Sequence, residues 1–201
     1  MDLKKIKVPF LSNEEIESRT KSFREKFWDN SIPVDIEYII ELKLKLDVIP
    51  VPGLQNLCGT DALISSNWQA IYVDNDAYLD ERYQNRLRFS LAHEMGHFIL
   101  HKKLYSGLGI KEISEFYKLF EHISQEQYGY METQANKFAN YLLVAREALV
   151  IERKKQLNKI SELKGIDKNT LNSYLAIPLS KVFGVSEKVV EIALNEINDN
   201  K

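Results

Sequence analysis

The chain has 201 residues, 44% hydrophobic and 28% charged, which suits one or two soluble globular domains. Its 27 Lys and Arg against 29 Asp and Glu leave a net charge of −2, so bulk electrostatic binding to nucleic acid or an anionic membrane is not expected. One cysteine, Cys58, excludes an internal disulfide and points to a reducing cytoplasm, and eight Gly with five Pro exclude a collagen-like or low-complexity chain. The first seven residues lack the apolar run of a signal peptide, and no apolar stretch approaches the ~20 residues of a membrane span.

In chain order, Ser12 and Glu15 have the spacing of a capping box and open a helix over 12–29 with Ile16, Phe23 and Phe27 on one side. Pro33 and Asp35 start a second helix over 34–46, and Pro50 and Pro52 then break regular structure. Two strands follow, 60–65 and 68–73, joined by a turn at Ser65-Ser66-Asn67. Helices are expected at 81–102, 111–124, 131–157 (one piece or two), 169–175, 178–183 and 187–197. The fold class is therefore α+β, a small antiparallel or mixed sheet followed by a mainly helical region. No repeat or flexible linker is visible. The expected organisation is a helical segment (1–31), a central domain (32–160) and a C-terminal helical hairpin (161–201).

The most informative stretch is Arg88-Phe89-Ser90-Leu91-Ala92-His93-Glu94-Met95-Gly96-His97-Phe98-Ile99-Leu100-His101. It contains His93-Glu94-x-x-His97, in which histidines at i and i+4 share one helix face and can reach one ion. Glu94 lies beside that face and can take a proton from an activated water. A His-Glu-His trio on an otherwise apolar helix needs a partner to offset desolvation, and a metal supplies one. The bland alternative is a pair of buried histidines bonded to backbone or carboxylates.

A catalytic zinc needs a third protein ligand and an open fourth position. His101 shares the face of His97, but a rise of ~1.5 Å per residue places it ~12 Å along the axis from His93, too far for one ion to take all three. His122 is isolated and reads equally well as a surface histidine. Glu132 is the preferred ligand. It lies on the apolar stripe of Ala135, Phe138, Ala139 and Leu142, where an inward carboxylate needs a partner. Asn136, one turn on, can orient a ligating group. Alone, Glu132 would read as a helix N-terminal carboxylate. Cys58 lies away from the motif and reads as a buried small apolar residue. The basic run Arg153-Lys154-Lys155 with Lys159 and Lys164 reads as a solvated helix face.

The two stretches together, with Glu132-x-x-Ala135-Asn136-x-Phe138-Ala139-x-x-Leu142-Leu143, resemble the ImmA/IrrE family of zinc metallopeptidases. Ala70-Ile71-Tyr72-Val73-Asp74 and Phe183-Gly184-Val185-Ser186 also fit its layout, and the resemblance spans roughly residues 35–196. It implies a zincin-like domain with one Zn2+ held by His93, His97 and Glu132, and Glu94 as general base. It further implies a selective cytoplasmic endopeptidase acting on a protein such as a helix-turn-helix transcriptional repressor. Two departures stand out. The family often has Pro after the Leu-Leu pair, whereas Leu142-Leu143-Val144-Ala145 lacks it, so this helix is free to continue. Gln134 replaces a frequent second glutamate and is a poor zinc ligand, which leaves Glu132. In many such enzymes a His or Tyr helps hold the oxyanion, and the sequence selects none of its ten tyrosines. Strand 68–73 reads either as a core strand or as a sheet edge at which Trp68, Ala70 and Tyr72 would face an added substrate strand.

Two other classes compete. Residues 178–197 have a helix-turn-helix outline, but Glu187, Glu191 and Glu196 against Lys188 would repel DNA phosphates, so no direct nucleic-acid contact is expected. A catalytically silent metal-binding or interaction module has no use for the intact Glu94, and structural zinc sites usually carry four protein ligands.

Overall fold

A computed structural model describes residues 7–107, 123–159 and 167–199. The expected helix at 111–124, with His122, and Lys164 of the basic group lie outside or almost wholly outside these residues.

Helix α1 (Asn13–Phe27) begins with the capping box that Ser12 and Glu15 encode: the Ser12 hydroxyl accepts from the Glu15 N–H, and the Glu15 carboxylate accepts from the Ser12 N–H. Asp35 caps the short helix α2 (Ile36–Tyr38), which runs on as a π-helical turn (Ile39–Lys43) and buries Ile36, Ile39 and Ile40.

The chain then forms a strand where the prolines predicted a break. β1 (Asp47–Val51) contains Pro50 and pairs in parallel with β3 (Ala70–Asp74). An edge strand accepts proline, because the missing N–H need not belong to the ladder. After helix α3 (Leu54–Cys58), strand β2 (Ala62–Ile64) pairs antiparallel with β3 on its other side. The sheet is thus mixed, in the order β1-β3-β2. This corrects the edge reading of Trp68, Ala70 and Tyr72. β3 is the central strand, Ala70 and Tyr72 are paired on both flanks, and Trp68 is buried with its ring 6.1 Å from that of Phe98.

Asp74 ends β3 and caps α4 (Asn75–Leu79), accepting from the Asp76 and Ala77 N–H groups and from Gln55 across the sheet end. A 3-10 turn (Glu81–Tyr83) leads into α5 (Gln84–Leu100), the helix of the His-Glu-x-x-His motif, followed by α6 (Lys102–Gly107).

Ser124 caps α7 (Gln125–Leu143). Despite the absence of proline, α7 does not continue: Val144 turns inward, 2% exposed, and α8 (Arg146–Leu157) starts afresh. Burial of Val144 and Leu149 on the shared core favours the bend over a straight helix. Helix α9 (Lys168–Phe183), by contrast, runs through Pro178, where two helices were expected. Its continuous buried face of Leu175, Ala176, Leu179 and Phe183 outweighs the lost hydrogen bond. Gly184, at φ 62°, turns the chain into α10 (Glu187–Asp199).

The architecture is α+β, a small mixed sheet against a mainly helical body. One hydrophobic core joins Ile16 and Phe23 of α1, Ile71 and Val73 of the sheet, Leu91 of α5, Phe138 of α7, and Leu179 and Val190 of the last two helices. Among the described residues, no helix is long and apolar enough to cross a membrane.

Candidate metal centre

The site is built where α5 crosses α7. Leu87, Leu91, Ala92 and Met95 bury one side of α5, which turns His93 and His97 toward α7. The stripe of Met131, Ala135, Phe138, Ala139 and Leu142 anchors α7 and carries Glu132 to the same point. Gly96 makes the approach possible, since a Cβ there would lie 2.8 Å from the Cα and 2.9 Å from the carbonyl oxygen of Ala135.

His93 Nε2 and His97 Nε2 are 2.9 Å apart. Glu132 Oε2 lies 3.3 Å from the first and Glu132 Oε1 lies 3.4 Å from the second. With Zn–N bonds of ~2.0–2.1 Å, tetrahedral ligand atoms sit about 3.3 Å from one another. The two carboxylate separations match that edge, and the imidazole pair is slightly closer. His93, His97 and Glu132 are the one such His/Cys/Asp/Glu group found among the described residues. The donor set of two imidazoles and a carboxylate suits a zinc ion with an open fourth position.

The carboxylate and the imidazoles shape one another's charge. Burial alone would raise the Glu132 pKa, but hydrogen bonds and charge from His93 and His97 hold it well below the usual carboxylate range. For His93, burial pulls the pKa down, and the Glu132 and Glu94 carboxylates more than reverse that.

Glu94 is 6% exposed and stands beside this trio. Its Oε2 accepts the Ile64 N–H at 2.9 Å, so the strand holds the carboxylate in place. Burial pushes its pKa up, with His97 and His93 acting against the rise. Asn136 sits with its Oδ1 2.9 Å from His93 Nδ1, which must donate to it and thereby leaves Nε2 facing the cleft. His97 Nδ1 meets His101 Nδ1 at 3.0 Å, and His101 Nε2 meets Gln134 Oε1 at 3.0 Å. The Gln134 amide in turn donates to the Pro9 carbonyl at 2.9 Å. Burial, then His97, lower His101 to about 4.

These atoms open onto a cleft of about 900 Å³, within the range of ligand pockets. β2 forms one wall and α7 another, with Leu57, Cys58, Thr60, Leu63, Ile123 and Tyr128 among its lining. Cys58 corrects the sequence reading: it is exposed and lines the cleft, because α3 ends there at Gly59. Tyr128, one turn before Glu132, is the tyrosine the sequence did not single out. Its hydroxyl bonds the Glu132 side of the site, and burial, then the Glu132 charge, push its pKa up to about 12. Its i−4 spacing from Glu132 was the available signal. Gly96 was also missed. A glycine in mid-helix costs ~1 kcal/mol of propensity relative to alanine, which marks a close approach.

The α+β fold is that of a zincin-like domain, and the converging His93, His97 and Glu132 side chains fit the ligand set of a metallopeptidase-type family. The family model described as the IrrE N-terminal-like domain, Peptidase_M78, matches residues 78–195. The chain belongs to this ImmA/IrrE family of peptidases. The match includes both site helices, α9 and the first nine residues of α10, and begins after the sheet. No curated protein sequence matches the chain.

Proposed function

We propose that the protein is a zinc-dependent endopeptidase with one ion per chain. The observation that carries this reading is the meeting of His93 Nε2, His97 Nε2 and the Glu132 carboxylate beside a buried, strand-anchored Glu94. When bound, zinc supplies Lewis acidity that brings the pKa of a water toward ~7 and polarises a carbonyl. Glu94 takes the water's proton at its carboxylate and returns it to the leaving amine. The raised pKa of the buried Glu94 favours holding that proton between the two steps. The Tyr128 hydroxyl, released from Glu132, donates to the developing oxyanion.

The substrate lies along β2. Asp61 and Ser65 bond to β3, so Ala62 and Ile64 turn their backbone groups to the outer edge, at the cleft, where the Ile64 N–H donates to Glu94 and the Ala62 N–H and carbonyl bond the Thr60 hydroxyl. An extended peptide that displaces the Thr60 hydroxyl from Ala62 adds there as a further strand, its side chains entering the cleft alternately. The substrate class we propose is a cytoplasmic helix-turn-helix repressor, cut to relieve repression, as the family resemblance implies. No direct contact with nucleic acid or membrane is part of this reading.

Elemental analysis tests the ion. Wild type is expected to carry one zinc, and Glu132→Ala to lose it or to bind at least ~10²-fold more weakly. Wild type without any divalent metal, purified in the absence of chelators, overturns the proposal. Tyr128→Phe is expected to keep its zinc and its KM while kcat for a fluorogenic peptide pool falls about 10²-fold. An unchanged kcat removes Tyr128 from the chemistry.

A further inference from the structure

His101 was set aside as a ligand because of its distance from His93, and Gln134 because an amide binds zinc poorly. The structure gives both another use. Four polar groups form an unbroken line from the N-terminal segment to the metal centre: the Pro9 carbonyl, the Gln134 amide, the His101 ring and the His97 ring.

The direction of every hydrogen bond in this line follows from its first member. A carbonyl oxygen only accepts, so the NH2 of Gln134 faces Pro9 and its Oε1 faces His101. That oxygen also only accepts, so His101 carries its proton on Nε2. A neutral imidazole holds one ring proton, and Gln134 Oε1 takes it at His101 Nε2. Its Nδ1 is therefore a lone pair, 3.0 Å from His97 Nδ1. His97 must then donate from Nδ1, and its own lone pair lies on Nε2, which faces His93 and Glu132. The opposite arrangement would put a hydrogen on His97 Nε2 and close that nitrogen to any cation.

We propose that Gln134 and His101 are positioning residues that fix the Nδ1–H tautomer of His97 and keep Nε2 open to the metal. This rests on reading the cleft as a zinc site. The same line ties the N-terminal segment to the centre, since the Val8 N–H also donates to Gln127 Oε1 on α7. His93 obtains its tautomer independently from Asn136, so each histidine is set by a separate partner.

The test is imidazole 15N–1H correlation spectroscopy on the full chain, zinc-loaded and metal-free. Only four histidines contribute, so assignment is tractable. His101 is expected as the Nε2–H tautomer in both states, and His97 as Nδ1–H with Nε2 metallated in the loaded state. His101 protonated on Nδ1 overturns the proposal. Because the His101 tautomer is readable without metal, a chain that fails to bind zinc refutes the zinc reading without deciding this one. Chelator competition provides the second readout. Gln134→Leu is expected to weaken zinc binding ~10- to 100-fold and to release the His101 tautomer, while the His93 Nδ1–H signal, set by Asn136, stays unchanged. A folded Gln134→Leu with wild-type affinity and an unchanged His101 spectrum overturns it as well.

Discussion

Glu94→Gln is expected to retain one zinc per chain and to lose peptide hydrolysis by about 10³- to 10⁴-fold. The proposed ligand atoms belong to His93, His97 and Glu132, so the substitution removes none of them. The glutamine oxygen can still accept the Ile64 N–H, so the side chain keeps its anchor. What it loses is the ability to take a proton from water and hand it to the leaving amine. Stability should move the other way. Burial raises the Glu94 pKa, so this group costs the fold stability as pH rises from the ordinary carboxylate pKa through the raised one. A neutral amide removes this cost, and metal-free Glu94→Gln should unfold at the same temperature as wild type or higher near pH 7. Metal content, kcat and a melting curve on one preparation decide the matter. Loss of zinc together with loss of activity would make Glu94 a ligand or a support for one, and activity within ten-fold of wild type would end its role as base.

Features governed by local periodicity were legible in the sequence. Ser12 and Glu15 announce the start of α1 because a capping box is complete within four residues. His93 and His97 share a face because a helix turns every 3.6 residues, and Glu132 could be placed on the inward stripe of α7 for the same reason. Long-range facts were not legible. Pro50 and Pro52 conceal β1, since whether a proline breaks a strand depends on which edge of the sheet it occupies. Without β1, strand β3 could be read as an edge as well as a core strand, whereas it is central and β2 is the strand that faces the cleft. The bend at Val144 and the continuity through Pro178 both follow core burial, which outranks the local residue preferences. Cys58 resembled a core residue because its exposure is set by the short helix α3 at the cleft rim. His101 shows a half-legible case. Its distance from His93 was readable, but its hydrogen bond to His97 needed the position of Gln134 on another helix.

Gly96→Ala is expected to destabilise the protein by about 1–2 kcal/mol and to weaken metal binding, although alanine is the better helix former. Helix propensity alone predicts a gain of ~1 kcal/mol for this exchange. The added Cβ, however, would meet the Cα, the carbonyl oxygen and the Cβ of Ala135 at 2.8, 2.9 and 3.2 Å. Two of these are backbone atoms, so no side-chain rotation relieves the contact and α5 and α7 must part. Overpacking of this kind costs typically 1–3 kcal/mol, enough to reverse the propensity gain. The displaced element carries the proposed third ligand, because Glu132 lies one turn before Ala135 on α7. A shift of the helix lengthens both carboxylate–imidazole separations, now 3.3 and 3.4 Å, away from the edge a zinc ion requires. Gly129→Ala on the same helix supplies the control: a Cβ there meets nothing within 4 Å, so it should raise stability by up to ~1 kcal/mol and leave zinc affinity alone. Denaturant unfolding of the metal-free chains and chelator competition for zinc measure both effects. If Gly96→Ala stabilises as Gly129→Ala does, the close approach of the two helices is not what Gly96 permits.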